Sequence, residues 1–270
     1  MLPRNLRAPC ASVDPLRRNL FLLSELVRRD LSVRYAGSFG GAAWALLNPL
    51  ILCGLYSLVF SLIVRIPPPA DFTGTYTEFL LAGLLPWLGL QDALVRSASA
   101  VTDQSHLVKK MSFPIGILVV ASLLSALVLQ AAGLLVFAAV SGGFGAGEIH
   151  AVPLALGFAF QALVLIGPAF AFAAASVLFR DLAQLIVPLM TVVFYLTPIL
   201  YPESAVPAGL AWALEVNPVR DVAGFFRAGL LGTEAPPAAR TLVWSAVFAV
   251  LAFLGHRFFE RGRKVFADVL

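Results

Sequence analysis

A chain of 270 residues that is 60% hydrophobic and only 13% charged, with a mean hydropathy of +0.89, lies outside the range of soluble proteins. Its net charge of +4 calls for no nucleic-acid partner, because the basic residues follow a membrane pattern described below. Two cysteines, Cys10 and Cys53, and three scattered histidines, His106, His150 and His256, offer no metal-ligand spacing.

Residues 1–41 read as a cytoplasmic arm. Ser12 or Asp14 caps a helix with Pro15 in its first turn. Leu16, Leu20, Leu23, Val27 and Leu31 share one face, and Arg17, Arg18, Glu25, Arg28, Arg29 and Arg34 cover the rest. That pattern predicts an amphipathic helix lying in the bilayer boundary or on the protein's own cytoplasmic surface. No cleavable signal peptide is expected, since this region is basic throughout.

Residues 42–260 read as one all-α membrane domain with six spans, at about 42–64, 79–95, 112–140, 151–178, 182–200 and 241–259. About 20 apolar residues cross the hydrocarbon core, and the second span is at the short end. Spans one, three, four and five and the 241–255 part of the last contain no Asp, Glu, Lys or Arg; the second holds only Asp92, with Arg96 one turn on. Proteins that move ions or protons carry such groups inside their spans. Basic residues stay on the cytoplasmic side. With both termini cytoplasmic, fifteen of the 19 Lys and Arg fall in inner segments and four in outer ones. Residues 261–270 complete a cytoplasmic tail.

Between the spans, 65–78 is extended at Pro67-Pro68-Pro69, and 141–147 is a glycine-rich tight connection. The inner segment 96–111 is polar, has the length of a short helix, and runs into a span capped by Ser112 with Pro114 in its first turn. Pro188 and Pro198 favour kinks in the fifth span. Segment 201–240 is too long and apolar for a simple loop. Its pieces 210–216 and 218–231, with Asn217 as cap, Pro218 at the first turn and Gly232 as stop, are too short to cross and read as a re-entrant pair in the outer leaflet.

No phosphate loop accompanies any of the three lysines, and no paired carboxylates lie at one depth. The chain is expected to bind no cofactor and to catalyse nothing: a conduit driven from elsewhere. A sugar chain needs apolar faces to stack on and few fixed charges, and Tyr56, Phe194, Tyr195 and Tyr201 are the candidates to line such a path.

In order along the chain stand Arg29-Asp30-Leu31-Ser32-Val33-Arg34-Tyr35, Gly37-Ser38-Phe39-Gly40, Trp44-Ala45-Leu46-Leu47-Asn48-Pro49, Lys109-Lys110-Met111-Ser112-Phe113-Pro114, Phe179-Arg180-Asp181, Tyr195-Leu196-Thr197-Pro198-Ile199 and Asn217-Pro218. Together they resemble the membrane subunit of type-2 ABC exporters for polysaccharides, the O-antigen, capsule and teichoic-acid group. The resemblance implies a homodimer in a bacterial inner (plasma) membrane, two copies of a separate ATPase that binds the ATP and Mg, and a lipid-linked glycan as cargo. It implies a coupling helix within 96–111 and ATPase contact by the arm, which makes Arg28, Arg29, Asp30, Arg34, Asp103, His106, Lys109 and Lys110 the coupling candidates. It also makes the re-entrant pair an outer gate, with Asn217, Pro218, Phe225 and Phe226 its candidates. A drug or lipid exporter of the same class is the nearest alternative, and the long basic arm at 15–35 weighs against it. A membrane-embedded glycosyl or phosphoryl transferase would need the carboxylates or nucleotide site that the chain lacks.

Overall fold

The computed structural model describes residues 15–34, 41–65, 68, 69, 72, 74–106, 114–142, 149–179 and 181–269, and among them the only regular structure is helical. Lys109, Lys110 and positions 143–147 of the glycine-rich connection lie outside the described residues.

Helix α1 is Pro15–Arg34. Leu23, Leu26, Val27 and Leu31 are half-buried and α1 packs along the helix Gly116–Gly142, whereas Leu20 and Phe21 stay exposed. The apolar stripe is therefore divided between the protein and its surroundings. A 3-10 turn, Gly41–Ala43, leads into α2, Trp44–Ser57, which continues as a π-helical stretch, Leu58–Val64. The run ends where Arg65 adopts a left-handed conformation at φ 57°.

Helix α3, Tyr76–Ser99, exceeds the predicted span at both ends. At its start the Thr75 hydroxyl accepts from the Glu78 N–H at 3.3 Å, and Glu78 Oε2 accepts from the Thr75 N–H at 2.7 Å. This reciprocal box starts the helix three residues before the apolar run. At the other end Arg96 stays helical because it pairs with Asp92 one turn back. The segment predicted at 96–111 is thus divided: its first turn belongs to α3, turns follow at 100–104, and a new helical turn begins at Ser105.

Helix α4 is Gly116–Gly142 and α5 is Ala151–Leu178. Helix α6, Leu182–Leu196, ends four residues before the predicted limit. The residue before a proline is forced away from the helical region, and Thr197, preceding Pro198, is extended at φ −97°, ψ 134°. Then come α7, Ala211–Glu215, α8, Pro218–Leu231, and α9, Ala238–Val269. Asn217 Oδ1 accepts from the Val219 N–H at 3.0 Å, Pro218 takes the first turn, and Gly232 closes α8 at φ 67°. Helix α9 runs on through most of the predicted tail, with Phe266 packed edge-on to Phe259.

Among the described residues, four helices are long and apolar enough to cross a membrane: Tyr76–Ser99, Gly116–Val140, Ala151–Leu178 and Ala238–Arg263. The other two predicted spans hold shorter apolar helices, Leu50–Phe60 and Leu182–Leu196. Helix α3 lies at the centre, buried along most of its length against α4, α5 and α8. Beside it, α5 and α9 meet backbone to backbone. A Cβ at Gly167 would fall 2.7 Å from the Leu251 carbonyl carbon, and one at Gly255 would strike the Gly167 carbonyl. Lipid offers no hydrophobic drive for helix pairing, so close approach of small residues supplies the contact area. The bundle has two ends: the arm end, where α1 meets the close of α3, and the hairpin end, where α7 and α8 meet its beginning.

Candidate functional site

At the arm end, charge alternates across two helices. Arg34 donates to Asp92 Oδ2 at 2.8 Å, Arg96 donates to Asp92 Oδ1 at 3.1 Å, and Arg96 reaches Asp30 Oδ1 at 3.4 Å. Arg29 donates to Gln104 in the turn after α3. The predicted coupling residues Arg29, Asp30 and Arg34 therefore converge on α3 and its turn. Asp103 accepts from Ser99 at 2.6 Å in that same turn, whereas Arg28 and His106 are exposed. Asp30 Oδ2 and Arg34 Nε are buried with no partner among the described residues. A network of this kind holds better than isolated surface pairs, because its two inner charges, Asp92 and Arg96, each have two opposite neighbours. Asp92 and Arg96 complete it.

A groove of about 370 Å³ opens between α3 and α4, with Arg34 and Asp92 at one end. Its walls are leucines, glycines, Gln91 and Gln130 rather than the predicted aromatic residues. Gln130 forms a reciprocal amide pair with Gln161, at 2.8 and 2.7 Å, and Gln161 also donates to the Pro86 carbonyl at 3.3 Å. Both glutamines are buried.

Three of the four aromatic candidates gather at the end of α6. Phe194 packs on Trp87 at 5.4 Å and edge-on to Tyr195 at 5.3 Å. The Tyr201 hydroxyl donates to the Tyr195 carbonyl at 2.8 Å, and the Tyr195 side chain is 63% exposed. Burial pushes the Tyr201 phenol above its ordinary range. Tyr56 stands apart on α2, stacked on Phe60 at 5.9 Å. Its ring contacts continue through Phe60 to Tyr76, whose hydroxyl donates to the Leu200 carbonyl beside Tyr201.

At the hairpin end, Asn217 caps α8 and also donates to the Leu196 carbonyl at 3.2 Å and to Thr197 Oγ1 at 2.8 Å. Pro218 follows it at the first turn. Phe225 and Phe226 are buried, against Phe160 at 5.9 Å and Phe158 at 5.0 Å. They are packing residues of α8 on α5. Arg220 pairs with Glu203 and Glu215, while Arg240 of α9 pairs with Glu215 and with fully buried Asp221. The hydrogen bond from Arg220 holds the Glu215 carboxyl below its usual range, whereas burial raises that of Asp221 despite Arg240. Arg227, which no local pattern marks, is buried with its guanidinium 3.7 Å from the Phe79 ring centroid.

The pattern of the ABC-2 type transporter family matches residues 22–231, from within α1 to the last residue of α8. The chain belongs to that family. Among curated proteins, this ABC-2 transporter chain is similar to the O-antigen export system permease protein RfbA of Myxococcus xanthus, 31% identical over 92% of this chain and 94% of the relative. It is also similar to the protein of the same name from Klebsiella pneumoniae, 26% identical over 92% of this chain and 95% of that one. Polar residues inside apolar runs were the available signal for Gln130 and Gln161, and membrane physics treats such residues as functional or structural by default.

Proposed function

We propose that this chain is the permease subunit of an ABC exporter that carries a lipid-linked polysaccharide, of the O-antigen, capsule or teichoic-acid type, across the bacterial inner membrane. The observation that carries the reading is the length of the match: the O-antigen export permeases align over 92% of this chain and at least 94% of their own. The family pattern, at 22–231, takes in most of the arm helix, α3 to α6 and the hairpin. Helices α4, α5 and α6 carry no Asp, Glu, Lys or Arg, and the exposed ring of Tyr195 agrees with a cargo held by stacking on sugar faces rather than by fixed charges.

In this reading two copies of the chain enclose the conduit, and α2 and α6, whose apolar side chains are largely exposed, face the second copy. The arm end is cytoplasmic, as are both termini. A separate ATPase docks there on the arm and on the turn after α3, and ATP and Mg belong to that partner. The lattice of Asp30, Arg34, Asp92 and Arg96 then carries motion of the arm directly into α3.

Purification with a cognate ABC ATPase is expected to yield a complex with two copies of each chain and ATP hydrolysis. The permease alone is expected to yield none. Glycan export by membranes holding the permease without any ATPase would overturn the reading.

A further inference from the structure

The end of α6 is a non-helical stretch whose carbonyls are almost all individually satisfied. Backbone at membrane depth must find internal donors, and here they are found one by one. Val193 O accepts from Thr197 Oγ1 at 2.7 Å, Phe194 O from the Thr197 N–H at 3.2 Å, Tyr195 O from the Tyr201 hydroxyl, and Leu196 O from Asn217. Thr197 O accepts from the Ile199 N–H at 2.7 Å and Leu200 O from Tyr76. Ile199 O accepts from Arg227 Nη2 at 3.2 Å.

That last donor is unlike the others. Arg227 arrives from α8, is 7% exposed, and has no carboxylate in salt-bridge range among the described residues. Its guanidinium is met by the Phe79 ring, the Phe79 carbonyl at 3.3 Å and the Ile199 carbonyl. Gly83 makes the room, since a Cβ there would stand 2.8 Å from Nη2. A buried cation is tolerated only while fully hydrogen-bonded, so Arg227 and the strap at 197–201 fix each other.

We propose that Arg227 is the positioning residue of the conduit's outer barrier, and that this barrier is the strap 197–201 rather than the α7–α8 hairpin. The proposal rests on the preceding reading, in which the hairpin end faces outward. Helix α8 is held as a fixed wall: Phe226 is fully buried and Val222 is 1% exposed. Helix α6 buries only Ile186 and Met190 along its length. Just beyond it Thr197 and Ile199 are fully buried, so packing and carbonyl donors together place its outer end, and through the Ile199 carbonyl Arg227 sets where Tyr195 and Tyr201 stand along the path.

The test uses the membrane-embedded full chain with Cys10 and Cys53 replaced by Ser and Tyr195→Cys as probe. A charged, membrane-impermeant methanethiosulfonate is added from outside. Loss of a charge-assisted bond to the strap in Arg227→Gln is expected to raise the modification rate about tenfold, with Arg227→Lys in between. Gly83→Ala, which displaces the guanidinium without removing its charge, is expected to raise the rate as well. The double variant is expected to exceed neither single by much, because both act through one contact. Arg240→Gln, which loosens the hairpin from α9, is expected to leave the rate unchanged. Unchanged rates in both Arg227→Gln and Gly83→Ala, additive effects of the two, or an equal rise in Arg240→Gln would overturn the proposal. Modification only by reagent supplied from the cytoplasmic side would instead overturn the outward orientation, and the barrier's placement with it.

Discussion

Gln130 and Gln161 illustrate how little a single polar residue announces in an apolar run. Each is one amide in a helix of otherwise apolar character, and its meaning comes from a partner 31 positions away. Removing one member leaves the other buried and half-satisfied, whereas removing both leaves only a packing change. Gln161→Leu is expected to destabilise by about 1–2 kcal/mol, and Gln130→Leu with Gln161→Leu by less than either single. Thermal unfolding of the four forms in detergent checks the cycle. Arg227 was hidden for the same reason, its carbonyl partner on α3 lying 148 positions earlier. That Phe194, Tyr195 and Tyr201 gather in one place was legible because they are near one another in the chain. At Glu215 a pH effect is expected with a definite sign. Its folded carboxyl titrates below the ordinary value, so its contribution is complete above the unfolded pKa, about 4.3, and is lost as pH falls through the lowered one. Glu215→Gln is expected to remove that acid-side loss from a stability–pH profile. Asp221, raised by burial, acts in the opposite direction and remains in the variant.

Among elements, those set by local chemistry could be read in advance. The Asn217-Pro218 start and Gly232 stop of α8 stand where the capping rules place them. The Thr75–Glu78 box was equally local, yet counting apolar residues alone put the start of α3 at Phe79. The early end of α6 was written in Thr197-Pro198: a proline read only as a kink here stops the helix, because α8 and α3 supply donors for the released carbonyls. The arm's docking was not legible, since amphipathic spacing does not say whether a helix lies against lipid or against protein. What decides it is Asp92, shared by Arg34 and Arg96. Asp92→Asn is expected to raise amide hydrogen exchange across α1 about tenfold while leaving α5 and α9 unchanged. Asp103→Asn, which loses only a bond within its own turn, is expected to leave α1 protected.

For the whole molecule, the charge bias predicts an even number of crossings, and the described residues fold into helices alone. Among them four helices have the length to cross alone, and the remaining two runs are broken by a π-helical stretch and by Pro198. Length rules see hydrophobicity, not where the backbone leaves the helix. The even count has its own test: Arg18→Cys on α1 and Arg261→Cys on α9, both exposed, are expected to react with an impermeant thiol reagent from the same face of sealed vesicles. Reaction from opposite faces would mean an odd number of crossings.

The seam between α5 and α9 constrains how such a molecule can work. With glycine against backbone at Gly167 and Gly255, there is no side chain in the gap to change rotamer and let one helix slip past the other. Any swivel would have to part the two rods altogether. These helices, with α8 bolted to the first of them, would form a stator, and the displacements of a working cycle would fall to the other flank: α2, the arm and the short α6, the last two held by polar clasps that can open and close again.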